Sequence, residues 1–243
     1  MDASQRTLSE TPSPRRWERY AWAAGIVFVV AVVVETAISV SIPISANDSA
    51  TKIATELDAH RTRLLVVFCV CVVYAASFPL YLWKLYDLLQ VNERRLRALG
   101  VLILVGGGLQ IALHATSDVG IYGLLDAKLA SYAAHHDPGI SYTLYLGTYA
   151  VDSLADVFGS LSLLAAGLLA MRGRLLPGWL AWVAIAAAIF LFLQGFGLGG
   201  LIATFGLVLD LIGFVLFLVF VLLSSVMGLR HDQRTSSDAR EHQ

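Results

Sequence analysis

Six apolar runs, at about 20–42, 64–85, 99–117, 144–171, 178–203 and 206–228, alternate with short polar segments along the chain. Each reaches the roughly 20 residues that a helix needs to cross a hydrocarbon core about 30 Å thick, where only a helix or a closed barrel satisfies its own backbone. The pattern predicts an all-α integral membrane protein, a six-helix bundle filling residues 20–230. The first run follows Arg15, Arg16 and Arg19, and Ile44-Ser45-Ala46 could be taken for a signal-peptide cleavage site. The run is longer than a signal-peptide apolar region of about 7–15 residues, so the reading is a retained span. Residues 1–19 and 231–243 are polar and cannot bury a core, which predicts a disordered tail at each end. The two longer connections, about 43–63 and 118–143, each contain a stretch suited to a short surface helix.

Composition agrees with this pattern. The 243 residues are 57% hydrophobic and 14% charged, with a mean hydropathy of +0.71, whereas a soluble domain carries about 25% charged residues. A net charge of -1 gives no reason to expect a nucleic-acid partner. The lipid bilayer is the expected surrounding. Arg outnumbers Lys by 14 to 3 among abundant Ala, Val, Leu and Gly, an association with GC-rich bacterial genomes that places the chain in a bacterial inner membrane. With the N-terminus inside, thirteen Lys and Arg fall on the inner side and only Lys52, Arg61, Arg63 and Lys128 on the outer, so both termini are expected in the cytoplasm. Trp17, Tyr20, Trp22, Tyr81, Trp83, Tyr86, Trp179 and Trp182 form an aromatic belt near the inner interface. Cys69 and Cys71 point about 200° apart on a helix, which excludes a disulfide between them.

The informative positions are those that break the apolar pattern, because an ionisable group at a span centre costs about 2.5–3.5 kcal/mol on insertion scales. Glu35, His114, Asp118, Asp152, Asp156 and Asp210 all fall in or near the outer halves of their spans. Residues four apart share a helix face. Gln110, His114 and Asp118 therefore make a stripe on the third span, Thr148, Asp152, Asp156 and Ser160 one on the fourth, and Glu35 with Ser39 a shorter one on the first. Such faces should turn inward onto an outward-opening polar cavity lined by Glu35, Gln110, His114, Asp118, Asp152, Asp156 and Asp210. The alternative is that these residues only hydrogen-bond between helices as packing contacts.

Catalytic signatures are sparse. No His-Glu-x-x-His pattern, Gly-x-Ser-x-Gly elbow or P-loop occurs, and His135-His136-Asp137 reads as a loop before the turn at Pro138-Gly139. No catalytic, cofactor-binding or metal-binding residue is assigned, and the sequence names no cofactor. The glycines at 106–108 and 195–200 read as close-packing positions or as places where a helix unwinds, and Pro79 as a kink. Asp-x-x-Gly recurs at Asp156–Gly159 and Asp210–Gly213, a faint sign of three repeated helical hairpins.

The six-span layout, together with Arg172-Gly173-Arg174-Leu175-Leu176-Pro177-Gly178-Trp179-Leu180 as a basic, Pro-containing turn into the fifth span, resembles the bacterial membrane proteins of the domain-of-unknown-function family 4386. That family has no agreed activity, so the resemblance implies no catalytic residue. The leading expectation is a non-enzymatic membrane protein whose polar cavity binds a small solute, cation or proton, as a transporter, sensor or accessory subunit. A membrane-embedded enzyme built on the carboxylate and histidine cluster, and a purely structural membrane subunit, are the alternatives.

Overall fold

The computed structural model describes residues 14–45, 47–89, 96–122, 134–172, 176–196 and 203–241, with side chains for those between Trp17 and His231 except near some segment ends. Seven helices account for nearly all of them: α1 (Pro14–Val40), α2 (Ala50–Ala59), α3 (Arg61–Leu89), α4 (Arg97–Tyr122), α5 (Pro138–Arg172), α6 (Gly178–Phe196) and α7 (Ala203–Glu241). All but α2 are long and apolar enough to cross a membrane. The all-α, six-span architecture expected from the apolar runs is thus present.

Several boundaries differ from those read off hydropathy. Helix α5 begins at Pro138, six residues before the apolar run, because Asp137 accepts the Gly139 N–H at 3.2 Å and Pro138 supplies a φ suited to a first helical turn. Residues 14–19 belong to α1, and α7 continues to Glu241, so these parts of the expected tails are helical; residues 1–13 lie outside the described residues. Polarity ends an apolar run without ending a helix. Helix α3 likewise runs without a break through Pro79.

The six spans close into a ring in chain order: α1 on α3, α3 on α4, α4 on α5, α5 on α6, α6 on α7, and α7 back on α1. The start of α1 and the end of α7 fall on one face of the bundle, called here the termini face. Large apolar side chains such as Val30, Val72, Val105, Ile189 and Leu211 point away from the ring, as a lipid-facing surface requires. Helix α5 is the most enclosed span, 61% buried over its apolar window against 33–39% for the other five.

Helices in lipid gain no hydrophobic drive from one another and rely on close packing and on bonds between helices. A Cβ added at Gly106 would stand 2.8 Å from the Phe158 carbonyl oxygen, so this glycine lets α4 lie directly on the α5 backbone. Gly167 meets Ala181 and Ile185 of α6, Gly213 meets Leu191, and Gly228 seats the Trp22 indole. Gly195 packs on Ser153 and Val157 of α5 rather than on the sixth span, and 197–202 lie outside the described residues. Towards the termini face an aromatic cluster fills the seam of α1, α3 and α7. Phe28 lies 4.4 Å from Phe78 and 5.7 Å from Phe217 between ring centroids, and Tyr81 stacks on Phe78 at 5.9 Å.

On the opposite face, α2 confirms one of the two expected surface helices. Ser49 caps it by accepting the Lys52 N–H at 3.3 Å, and Ile53, Ala54 and Leu57 are buried, with Ile53 and Leu57 in a cluster with Ile42, Leu64 and Tyr145. The Lys52 ammonium, 2.9 Å from Asp48, holds that carboxyl below its usual value, with the Ser45 N–H adding to the effect. Most of the other stretch, 123–133, lies outside the described residues.

The glycine contacts predict a contrast. Gly106→Val should lower stability by about 1–3 kcal/mol through overpacking against α5. Gly108→Ala, where a Cβ meets nothing within 4 Å, should be neutral or stabilising by up to about 1 kcal/mol. Thermal unfolding of the detergent-purified variants measures both.

Candidate functional site

The antiparallel register of α4 and α5 builds the site turn by turn. Nearest the termini face, Ser162 Oγ donates to the Ile103 carbonyl at 2.9 Å. One turn on, Gly106 lies against Phe158 and Ser162, and after it the buried Gln110 carboxamide sits in the space left by the missing side chain of Gly159. One further turn brings His114 opposite Asp152 and Asp156. Its Nδ1 is 3.1 Å from Asp152 Oδ1, and its Nε2 is 3.6 Å from Asp156 Oδ1. The two carboxylates, four apart on α5, are thereby held on the two edges of one imidazole ring.

Asp156 is the most enclosed of the three, its side chain 9% exposed against 31% for His114 and 36% for Asp152. Counting 16 residues from Arg172 at 1.5 Å each puts Asp156 about 24 Å from the termini-side end of α5 and Asp152 about 30 Å from it. With a hydrocarbon core about 30 Å thick, Asp152 stands near the far boundary and Asp156 one turn inside it.

Asp210 on α7 joins this group at longer range, within Coulombic reach of Asp156, His114 and Asp152. Glu35 accepts from its own helix, from Ser39 Oγ at 2.6 Å and Thr36 Oγ1 at 3.3 Å, and its helix α1 packs on α3 and α7. The Asp118 side chain lies outside the described residues. Thr148 and Ser160, on the same stripe as the acids, donate to Tyr145 and Val157 carbonyls of their own helix, both at 2.7 Å.

Both Asp-x-x-Gly segments place their glycine against the preceding span, Gly159 under Gln110 and Gly213 against Leu191. The sequence reading missed a second ionic group. Lys84 is buried near the termini-side end of α3, with its ammonium 3.5 Å from both Glu18 and Asp87. Counted with the interfacial cations, it looked like an ordinary membrane-edge lysine; the signal available was Asp87 at i+3 and the aromatic residues around it.

Chemically, an imidazole with a carboxylate on each nitrogen either carries a proton on both nitrogens or faces a protonated carboxyl. The Nδ1 edge is hydrogen-bonded to Asp152 at 3.1 Å, and Nε2 faces Asp156 at 3.6 Å, an ion-pair distance. Among the described residues no three His, Cys, Asp or Glu side chains are arranged to share a metal ion.

A ring of six apolar helices with an internal ionisable cluster defines a multi-pass integral membrane protein. No family model, curated protein or solved structure matches the chain.

The pairing predicts coupling between helices. His114→Ala should destabilise the protein, because it leaves Asp156 enclosed without a cationic partner. In an Asp156→Asn background the same change should do less harm. A double-mutant cycle on thermal unfolding should return a coupling of about 0.5–3 kcal/mol, and additive effects would contradict the pairing.

Proposed function

We propose that this membrane protein binds and releases protons at the His114–Asp152–Asp156 cluster, with Asp210 as a further acid, through a polar cavity that opens on the face away from the termini. The observation that carries this reading is the bridging of two α5 carboxylates by one α4 imidazole, at 3.1 and 3.6 Å, with one acid enclosed and the other partly exposed. One possible imidazolium charge stands against three carboxylates, so the group is short of positive charge. In a medium of low dielectric such an imbalance favours taking up a cation, and a proton is the one that binds at a single carboxylate oxygen without further ligands.

The sidedness rests on the excess of Lys and Arg at the termini face, which puts both termini in the cytoplasm and the cluster towards the exterior. The membrane is then the bacterial cytoplasmic membrane, and kinship with family 4386, through the turn at Arg172–Leu180, belongs to the same proposal. A transporter, a sensor or an accessory subunit could each use such a site.

Infrared spectroscopy of the protein in lipid nanodiscs tests the site directly. A protonated-carboxyl band should change with pH, and Asp156→Asn should remove or shift it, while sodium or calcium chloride leaves it in place. A wild-type band indistinguishable from that of the Asp152→Asn/Asp156→Asn double variant contradicts the proposal. For sidedness, a membrane-impermeant maleimide on intact cells should label Asp48→Cys but not Arg230→Cys, each in a Cys69→Ser/Cys71→Ala background. The reverse pattern overturns the orientation.

A further inference from the structure

Below the acid cluster, the interior of the bundle carries a descending series of polar groups that reaches the termini face. Gln110, one turn from His114, borders a gap with room for about one water molecule, and Tyr81 and Ser162 border it too, among apolar neighbours such as Phe78 and Phe217. The Tyr81 hydroxyl is 2.7 Å from Ser224 Oγ, with α3 bonded to α7 through this pair. One residue further along α7, Ser225 Oγ lies over Gly25 beside the Tyr81 ring, and one turn on Gly228 touches the Trp22 indole. Ser225 Oγ and Trp22 Nε1 are both fully enclosed and have no hydrogen-bond partner among the described residues. Buried polar atoms of this kind are ordinarily met by an internal water, for which an acceptor and a donor on adjacent turns are suited. One turn towards the termini face stand Lys84 and Glu18, 3.5 Å apart and reaching the surface.

The depths are in order. At 1.5 Å per residue, Asp156, Gln110 and Tyr81 lie about 24, 20 and 12 Å from the termini-side ends of their own helices, and Lys84 about 8 Å. The steps are about 4, 8 and 4 Å, and the water-sized gap lies in the longest of them. Two further buried serines at these depths, Ser77 and Ser160, lie off this line and donate to carbonyls of their own helices, of Tyr74 and Val157.

We infer that the cluster is the entrance of a transmembrane proton path, running from Asp156 and His114 past Gln110 and the water-sized gap to Tyr81, Ser224, Ser225 and the Lys84–Glu18 pair. The inference rests on proton binding at the cluster and adds the activity of proton transfer across the membrane. A proton released from the Asp156–His114 pair passes to water in the gap. That water gives a proton to the Tyr81 oxygen as the Tyr81 hydroxyl proton moves to Ser224 Oγ. Ser224 then yields its own hydroxyl proton to water beside Ser225, and that water gives one up to the Glu18 carboxylate beside Lys84 at the termini face. Each oxygen gains one proton and loses one, so no group in the middle of the bundle holds a net charge after the transfer. Gln110 and Trp22 do not relay protons; they orient the waters that do.

The test uses the full chain in phospholipid vesicles loaded with a pH-sensitive dye, with a potassium diffusion potential driving protons inward. The wild-type protein should acidify the lumen faster than empty vesicles do. Tyr81→Phe keeps the ring packing and removes only the hydroxyl, and should slow the flux about a hundredfold, the lower end of what a positioned proton-transfer group contributes. Ser225→Ala should slow it too. The carboxyl infrared band of Tyr81→Phe should titrate as in the wild type, which separates the path from the binding site. Wild-type vesicles no faster than empty ones, or a Tyr81→Phe flux equal to wild type, would overturn the path even where the carboxyl band still titrates. If Tyr81→Phe does not fold, as judged by its melting, Ser224→Ala takes its place with the same two readings.

Discussion

A carboxylate among acyl chains is unfavourable by several kcal/mol unless it finds a partner or water, and the arrangement of α4 against α5 follows from that constraint. Asp156 stands one turn inside the hydrocarbon boundary, where it has His114 on one side and a near-boundary acid, Asp152, on the same ring. To hold the imidazole in that position, α4 must lie close to α5 in one register. Gly106 and Gly159 permit the approach by removing the side chains that would block it. The bond from Ser162 to the Ile103 carbonyl then fixes the register nearer the termini face.

The same logic divides the bundle into two halves with different jobs. Near the termini face, α1, α3 and α7 are joined by aromatic packing of Phe28, Phe78, Tyr81 and Phe217 and by the Tyr81–Ser224 hydrogen bond. That half needs no charge inside, and Lys84 stays at its edge with Glu18 and Asp87. Away from the termini face, the α4–α5 seam carries His114, Asp152 and Asp156, with Asp210 of α7 at longer range. α2 rests on this side over Leu64 and Tyr145 and covers part of the face away from the termini.

The spans and the α5 stripe were legible in the sequence because both obey strong local rules. Apolar length sets a crossing, and a four-residue spacing puts Asp152 with Asp156 and Gln110 with His114. Which stripe meets which was not legible, since it depends on the order of helices around the ring. Glu35 shows this: its spacing from Ser39 is as regular as the others, but its helix α1 packs on α3 and α7. The helix ends at Pro138 and beyond His231 were also misjudged, because hydropathy reports where lipid ends and not where backbone bonding ends. Lys84 escaped notice for a related reason. A lysine near a span end is ordinarily a surface anchor whose ammonium reaches water, and only the tertiary structure shows this one enclosed beside Glu18.

The claim on which this account depends is that His114 of α4 lies between the two α5 carboxylates inside a lipid bilayer. Magic-angle-spinning NMR of the protein in liposomes, with labelled histidine nitrogens and aspartate carboxyl carbons, measures that geometry without disturbing it. The account predicts direct dipolar contact from the His114 ring nitrogens to both the Asp152 and the Asp156 carboxyl carbons. A His114 ring with no such contact to either carboxyl, or carboxyl carbons in contact with lipid acyl chains instead, would contradict it.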